Sequence, residues 1–265
     1  MQDPPNVPVF PVAQTRFGRM FTLRGDTVVG RSLHVYGEFA GDEVDSILAL
    51  VRPADHVVDA GANIGFHALA LARTVGPEGQ VTAIEPQRYC FQLLSANLTL
   101  NQLTQVLPIR AALGDRPGRC SVPRHSPLDR HNAGATQVRA AGEDGDEVAL
   151  ITLDSLGLSR CDLIKIDTEG FEDRVVEGGR QTLLTCRPAL YIEVHDRDKL
   201  VSLVGTLKPM GYGLTLHHTQ FFREGNPKGR QDRIFAPNVG GSALIALAEG
   251  RTLPEGLPGR LQPIA

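Results

Sequence analysis

Short apolar segments alternate with segments of helical periodicity along most of this chain, and this alternation restricts the fold more than any other feature. Residues 64–75, for example, place Ile64, Ala68, Leu71 and Val75 on one face of a helix. The predicted strands are residues 56–59, 80–84, 104–109, 162–166 and 189–194, and the predicted helices are residues 64–75, 87–100, 171–184 and 198–208. Strands that alternate with helices form a mostly parallel sheet covered on both faces, so we predict an α/β fold.

The segments outside this alternation predict additions to one main domain. A hairpin is expected at residues 16–29, a short helix at 44–50, and two closing strands at 213–217 and 233–236. The predicted boundaries are an N-terminal arm and hairpin at residues 1–45, a main domain at 46–240 with an inserted loop or hairpin near 116–148, and a peripheral tail at 241–265.

Composition excludes several classes of protein. The chain has 27 Lys and Arg against 30 Asp and Glu, a net charge of −3, which argues against general nucleic-acid binding. No apolar run approaches the roughly 20 residues of a membrane span. The N-terminal residues resemble no signal peptide and the four cysteines form no C-x-x-C pair, so we expect a cytoplasmic protein with reduced thiols. Oligomeric state is left open.

A glycine-containing turn follows the first predicted strand, where open α/β sheets bind their ligands. It carries Asp59, Gly61, Asn63 and Gly65, and Glu85 closes the second strand. Gly61 permits a tight turn and Gly65 permits close packing of helix on strand. An acid at the position of Glu85 accepts hydrogen bonds from ribose hydroxyls, which predicts a nucleotide site. The alternative is that Asp59 only caps a helix and that Glu85 is a solvated acid.

The details of the turn favour S-adenosylmethionine over a dinucleotide. The middle glycine of G-x-G-x-x-G is missing, and an acid two residues before Gly61 suits an amine better than a pyrophosphate. Asp59 can accept hydrogen bonds from the α-ammonium of S-adenosylmethionine. The N–H groups of the turn can bind the carboxylate of this donor, and Glu85 can bind its ribose. An NAD-dependent oxidoreductase and a nonenzymatic module that only binds S-adenosylmethionine remain as alternatives.

Six segments together resemble the FkbM family of methyltransferases. They are 57–65 (VVDAGANIG), 83–86 (AIEP), 111–115 (AALGD), 151–156 (ITLDSL), 163–172 (LIKIDTEGFE) and 191–195 (YIEVH). The resemblance, over about residues 36–216, implies a class I methyltransferase: a Rossmann-like three-layer sandwich with a mostly parallel seven-stranded sheet whose last strand is antiparallel. It also implies S-adenosylmethionine as methyl donor and a hydroxyl acceptor on a sugar, glycolipid or secondary metabolite. An amine acceptor is an alternative.

The same resemblance assigns the donor site residue by residue. Asp59, Gly61, Ala62, Asn63 and Gly65 match the turn that holds the methionine part of the donor. Glu85 and Pro86 match the ribose-binding position, and Asp115 falls near the adenine edge. The N-terminal arm, the insertion and the tail match weakly, so these parts are expected to shape the acceptor site.

Polar residues on the fourth and fifth strands predict the catalytic centre. Period two places Lys165 with Asp167, and Glu193 with His195, each pair on one face of its strand. A general base assists attack by an alcohol, and His195 is the first candidate because its ordinary pKa suits neutral pH. Asp167 is the second candidate. The structural alternative is a Lys165–Glu193 ion pair that fixes the strands.

Three further hypotheses concern ligands. Asp167 and Glu193 end neighbouring strands and offer oxygen ligands that suit Mg²⁺, although no metal site is assigned. Glu38 and Glu43 precede the first strand, where an N-terminal lid could close over the donor. Two basic groups could contact an anionic or polar acceptor: the arginines 110, 116, 119, 124, 130 and 139, and the group His217, His218, Arg223, Lys228, Arg230 and Arg233.

Overall fold

The computed structural model describes residues 8–194 and 196–264, and an eight-stranded sheet forms its centre. In spatial order the strands are β14 (Arg260–Ile264), β12 (Tyr212–Gln220), β13 (Gly240–Ala248), β11 (Ala189–Glu193), β10 (Leu163–Ile166), β3 (His56–Ala60), β4 (Gln80–Ile84) and β5 (Val106–Ile109). Six strands run parallel, and β13 and β14 run antiparallel to them. The predicted seven strands correspond to this sheet without its edge strand β14.

Helices cover both faces of the sheet. One face carries α1 (Val29–Tyr36), α2 (Gly41–Ala49), α3 (Phe66–Val75) and α4 (Arg88–Leu100), and the other α5 (Glu172–Glu177), α6 (Arg180–Cys186) and α7 (Arg197–Leu207). Alternate residues of a strand enter different cores: Leu163 packs under α1–α4, whereas Ile164 and Ile166 pack under α5–α7. The three-layer α/β prediction is therefore confirmed. The single helix predicted at 171–184 is divided at Gly178–Gly179.

The N-terminal hairpin lies earlier than predicted. It consists of β1 (Val12–Thr15) and β2 (Gly18–Phe21), and the segment from Val29 onward is helix α1. Both carboxylate oxygens of Asp26 accept backbone N–H groups at the start of this helix, from Val28 at 3.0 Å and Gly30 at 2.7 Å. The dipeptide Gly25–Asp26 therefore begins a helix and is not the turn of a hairpin.

The insertion is more ordered than the predicted loops. It forms a small sheet in the order β6 (Ala112–Leu113), β9 (Asp146–Ile151), β7 (Gly118–Val122) and β8 (Arg139–Ala140). A single 3₁₀ turn, Asp154–Leu156, follows it. The inward side chains of Cys120, Val122 and Val148 form a core of their own, which explains why this polar segment folds.

The predicted peripheral tail is wrong, because residues 241–265 supply two strands of the central sheet. Strand β13 lies between β11 and β12, and its Leu244 and Ile245 are fully buried. Its run of small and apolar residues suits a strand that is covered on both faces. Residues 233–236, predicted as a strand, lie outside the strands of the described chain. Within the described ranges, the helices are too short or too polar to cross a membrane.

Candidate active site

The turn after β3 has the tight geometry that its glycines predict. Gly61 and Gly65 have φ angles of 84° and 93°, which favour glycine. A Cβ atom at Gly61 would lie 1.7 Å from the carbonyl oxygen of Asp167, and one at Gly65 would lie 2.8 Å from Leu94. Gly61 therefore lets the loop after β10 approach the turn, and Gly65 lets α4 pack against α3.

Glu85 ties this turn to the end of β4. Its carboxylate accepts the backbone N–H groups of Asn63 at 2.8 Å and Gln87 at 2.7 Å. Burial raises the pKa of Glu85 to about 7, although both hydrogen bonds oppose the rise. Each carboxylate oxygen accepts one protein N–H and keeps a lone pair for a ligand.

A cleft opens beside Glu85, where β3, β4 and β10 end. Gly61, Asn63, Glu85 and Pro86 line it, and their predicted role in donor binding stays a prediction. The insertion closes one side with Gly134, Thr136 and Val138, and the side chain of Gln87 donates to the carbonyl of Ala133 at 2.8 Å. The predicted insertion therefore contributes to the same cleft as the glycine turn.

Four of the predicted donor residues do not line the cleft. Asp59 is fully buried. Ala62 is also buried, and its backbone N–H donates a hydrogen bond to the carbonyl of Ile84. Gly65 acts through helix packing, and Asp115 is exposed beyond the cleft wall. The resemblance located this segment correctly, but the chain turns outward after Leu113 into the insertion.

The backbone N–H groups of the turn already donate hydrogen bonds within the protein. Those of Gly61 and Ala62 donate to Ile84, that of Asn63 to Glu85, and that of Gly65 to Ala62. The N–H of Ile64 donates to the side-chain oxygen of Asn63. The expectation that these groups bind a carboxylate of the donor stays a prediction, and here they are engaged within the protein. The amide nitrogen of Asn63, which points toward Gly134 across the cleft, is the donor that the turn offers.

Lys165 organises the carboxylates below the cleft. Its Nζ is 3.3 Å from both Asp59 Oδ1 and Asp167 Oδ2, and it donates to the carbonyl of Gly61 at 3.0 Å. Lys165 is only 2% exposed. Burial opposes its charge, but Asp59 and Asp167 together raise the pKa of Lys165. The alternative of a Lys165–Glu193 pair is replaced by this three-residue network.

Five acidic side chains meet where β10 and β11 end. Carboxylate oxygens of Asp167, Glu169 and Glu193 lie within 4.8 Å of one another. Glu43 from α2 approaches the same place, and its Oε1 is 3.7 Å from Nε2 of His67 on α3. Asp59 completes the group through Lys165. We call Glu43, Asp59, Asp167, Glu169 and Glu193 the acidic cluster.

The sequence analysis missed two members of this site and one neighbour. Glu169 was not singled out, although it follows Asp167 by two residues and lines the cleft. Glu43 was expected in a lid, and His67 had no signal in the sequence. Arg223 binds the carboxylate of Glu38 with two contacts of 2.6 Å, and the lid stays a prediction.

Mutual repulsion and burial leave several of these carboxyl groups protonated near neutral pH. Burial, followed by the charge of Asp167, raises the pKa of Glu43 to about 7 and that of Glu169 to about 8. The same two causes raise the pKa of Glu193, which also shares a hydrogen bond with Asp167. Burial lowers the pKa of His67 to about 3, so His67 is neutral. Proton exchange within the acidic cluster is therefore available at physiological pH.

The protein without ligand should lose stability as the pH rises from about 7 to about 8. Folded Glu43, Glu85 and Glu169 keep protons that their unfolded forms release near pH 4.5, so rising pH removes them only from the folded state. His67 is neutral in both states within this window. Differential scanning fluorimetry should show a falling midpoint and a flatter profile for Glu169→Gln. A midpoint that rises over this range would contradict the protonation states assigned here.

The four predicted catalytic residues differ in their positions. Asp167 lines the cleft and joins the acidic cluster, whereas Lys165 is buried beneath it. Glu193 lies within the cluster but outside the cleft wall. His195, the first candidate for the base, lies outside the described residues and stays a prediction.

Asp167, Glu169 and Glu193 could also hold a divalent cation. Three carboxylate oxygens at this spacing match the hard oxygen ligands of Mg²⁺. The same three groups can instead share protons, as their raised pKa values allow. No role is assigned to a metal.

Two of the arginines of the insertion form ion pairs with acids of the same segment. Arg119 pairs with Glu147 at 2.9 Å, and Arg124 pairs with Asp146 at 2.7 Å. In the second basic group, His217 is buried and hydrogen-bonded to Tyr191 and Pro258. Lys228 donates to helix α1, and Arg230 pairs with Asp232.

Comparison with known proteins decides the family. A family model described as a methyltransferase FkbM domain matches residues 59–225, which is well over half of the chain. This chain belongs to the FkbM family of methyltransferases. The matched residues contain the glycine turn, Glu85 and four members of the acidic cluster, so the family's characteristic region coincides with the cleft.

Individual relatives agree with this assignment. Methyltransferase SdnD of Sordaria araneosa is 32% identical over 154 residues, which cover 46% of this chain and 59% of the relative. An FkbM methyltransferase from Methylobacillus flagellatus superposes with a TM-score of 0.50 at 18% identity, over 72% of this chain and 43% of that one. A precorrin-6Y C5,15-methyltransferase from Geobacter metallireducens gives a TM-score of 0.51 at 13% identity, over 79% of this chain and 87% of that one.

These likenesses confirm the predicted class I methyltransferase fold. The FkbM domain described here spans about three fifths of the length of SdnD and less than half of the Methylobacillus chain. Membership of a methyltransferase family favours a methyl-donor site at the turn, so the dinucleotide alternative is set aside.

Proposed function

We propose that this FkbM domain transfers a methyl group from S-adenosylmethionine to a hydroxyl group of a sugar, glycolipid or secondary metabolite. The observation that carries the proposal is the position of Asp167. It lines the donor cleft together with Gly61 and Asn63, and it also belongs to the acidic cluster. The carboxylate of Asp167 can therefore take part both in donor binding and in proton transfer.

The cleft residues suit the three parts of the donor. The free lone pairs of Glu85 accept the two ribose hydroxyls, and Asn63 Nδ2 donates to the amino-acid part. Pro86, Leu113 and Phe171 give an apolar slot for the adenine. The α-ammonium, which was assigned to Asp59 from the sequence, fits Asp167 better because Asp59 does not reach the cleft.

The chemistry requires alignment and a proton acceptor. When bound, S-adenosylmethionine supplies an electrophilic methyl group on its sulfonium. The acceptor oxygen attacks that carbon in line, a new C–O bond forms, and the C–S bond breaks. Asp167 accepts the hydroxyl proton, and protonated Glu193 hydrogen-bonds to Asp167 and holds it in place. Holding oxygen, carbon and sulfur in line supplies much of the acceleration.

An amine acceptor is a second candidate, favoured by one observation. Lys165 pairs with Asp59 and Asp167 beneath the cleft, and Asp167 also lines the cleft. This carboxylate would attract an ammonium group and accept its proton. An O-directed and an N-directed enzyme differ in the atom that carries the methyl group in the product.

Glu85→Gln should weaken the binding of S-adenosylhomocysteine by about tenfold to a hundredfold. The amide keeps the size of the side chain, but it replaces a charged acceptor of two hydroxyl hydrogen bonds, each worth about 1.5–3 kcal/mol. Isothermal titration calorimetry with S-adenosylmethionine, S-adenosylhomocysteine and NAD measures the effect. Glu78→Gln, an exposed substitution of the same type, should bind as the unaltered protein does. Absence of binding to both S-adenosyl ligands, or preference for NAD, would overturn the proposed function.

A further inference from the structure

Another cavity lies between the insertion and the start of α4, and we call it the insertion cavity. It encloses about 250 Å³. A cavity of about 150 Å³ already accommodates a benzene ring. Its wall consists of Leu23 of the N-terminal arm, residues 87–90 where α4 begins, and residues 122–127, His131 and Asp146 of the insertion. Within the described chain, no member of the acidic cluster lines this cavity, so it is separate from the catalytic centre proposed above.

Backbone hydrogen bonds to the N-terminal arm fix one wall of the insertion cavity. The N–H of Gly25 donates to the carbonyl of Pro127 at 2.9 Å, and the N–H of His131 donates to the carbonyl of Gly25 at 3.3 Å. The N–H of Thr27 donates in turn to the carbonyl of His131 at 3.0 Å. These bonds hold residues 127–131 against the arm, so the cavity is part of the fold and not a gap beside an unattached loop.

Positive charge predominates around the insertion cavity. Arg88 and Arg124 line it, and Asp146 is the acid in its described wall. Arg124 lies 2.7 Å and Arg110 lies 3.4 Å from the carboxylate of Asp146. The hydrogen bond from Arg124 lowers the pKa of Asp146 most, and the charges of Arg110 and Arg88 lower it further. Asp144 reaches Arg124 at 3.9 Å from a side chain that is 97% exposed, where an ion pair contributes little. Three guanidinium groups therefore surround one partly buried carboxylate, and this excess of positive charge favours an anionic ligand.

Aromatic rings form another part of the wall. The rings of His125 and His131 lie with their centroids 4.4 Å apart and are inclined by 30° to each other. The guanidinium of Arg88 lies over the ring of Tyr89, 5.4 Å from its centroid. Burial, followed by the charge of His131, lowers the pKa of His125, so this ring is uncharged at neutral pH. The cavity therefore offers flat ring faces beside guanidinium groups, an arrangement that suits a flat ligand with an anionic substituent.

We propose that the insertion cavity is a second ligand site, which takes an aromatic ring that bears a phosphate or carboxylate group. The ring packs beside Tyr89 and His125, and the anionic group binds Arg88 and Arg124. Gln87 lines both this cavity and the donor cleft, so the ligand lies beside the donor but is distinct from the methyl acceptor. The inference goes beyond the proposed function and does not depend on it.

Nuclear magnetic resonance titration of the full chain, labelled with ¹⁵N, tests this inference with matched probes. The probes are phenyl phosphate and benzoate, their neutral counterparts phenol and benzamide, and inorganic phosphate, which lacks the ring. Phenyl phosphate or benzoate should bind about tenfold more tightly than the neutral probes and than inorganic phosphate, because charge-assisted hydrogen bonds are the stronger ones. The shifted signals should belong to residues 87–90 and 122–131. The tighter of the two anions identifies the group that the arginines prefer.

Matched variants and a competition experiment make the test specific. Arg88→Gln should weaken binding of the anionic probe about fivefold to tenfold, whereas Arg116→Gln, which changes an exposed arginine outside the cavity, should not. Tyr89→Leu should weaken binding of the same probe about threefold to tenfold, the range expected for loss of one aromatic contact. Saturating S-adenosylhomocysteine should leave the probe bound, and its displacement would place the probe in the donor cleft and overturn the second site.

Two further results would also overturn the second site. One is equal binding of the anionic probes and their neutral or ring-free counterparts. The other is unchanged binding in Arg88→Gln, which alters an exposed side chain and should keep the melting temperature of the unaltered protein. Failure of S-adenosylhomocysteine to bind would instead refute the proposed function and would leave the insertion cavity as a ligand site.

Discussion

Lys165→Met should destabilise the folded protein by about 3–5 kcal/mol, the usual cost of removing one partner from a buried ion pair. The substitution keeps most of the volume of the side chain but removes the cation that contacts Asp59 and Asp167. Asp59 is fully buried and would keep a charge without a partner, or take up a proton. Urea denaturation of the unliganded protein, followed by circular dichroism, measures the change.

Two variants make this experiment specific. Lys199→Met removes a lysine whose pair with Asp173 is partly exposed, and it should cost less than about 1 kcal/mol. Asp59→Asn combined with Lys165→Met should cost less than the sum of the two single substitutions, because the residues are coupled. If Lys165→Met and Lys199→Met had the same effect, Lys165 would not have the organising role assigned to it.

Asp167→Asn should lower kcat by about 10²–10⁴, the range for loss of a general base. The amide is close in size to the carboxylate, but it loses the charge that faces the α-ammonium, so the affinity for S-adenosylhomocysteine should also fall by about tenfold to a hundredfold. The kcat is therefore measured at saturating donor. The assay follows S-adenosylhomocysteine release with a glycoside that the unaltered enzyme methylates. Asp173→Asn, which changes an acid on α5, should leave kcat unchanged.

Parallel variants decide among the other candidates. His195→Asn tests the base predicted from the sequence, and a loss as large as that of Asp167→Asn would assign proton transfer to both residues. Repeating the assay with EDTA separates a base from a metal ligand, because chelation lowers the activity only when Asp167 holds a cation with Glu169 and Glu193. Full activity of Asp167→Asn would remove Asp167 from the mechanism.

Local patterns predicted the scaffold of the donor cleft well. Strand β4 has the bounds that the apolar run predicts, and the helix bounds of α3 and α4 differ by one or two residues. Gly61 and Glu85 lie where the spacing of turn and acid placed them. These features depend on periodicity and on backbone angles that few residues adopt. Both can be recognised from residues close together in the chain.

Long-range pairing was harder to predict. Strand β13 was predicted to belong to a peripheral tail because it follows a loop that contains Pro and Gly. Its apolar run instead occupies the position between β11 and β12. Asp59 looked available to a ligand because nothing in its own segment shows that Lys165, more than a hundred residues later, lies beside it. The register of β3 with β10 brings the two together.

The sequence by itself determined the α/β scaffold, the glycine turn and the acid that follows β4, because each depends on residues close together in the chain. The tertiary structure decided which charges face the ligand. Packing of α2 and α3 on the sheet brings Glu43 and His67 to the ends of β10 and β11. Lys165 pairs with the buried Asp59 outside the cleft. A buried charge is stable only with partners, and those partners are chosen by strand register and helix packing.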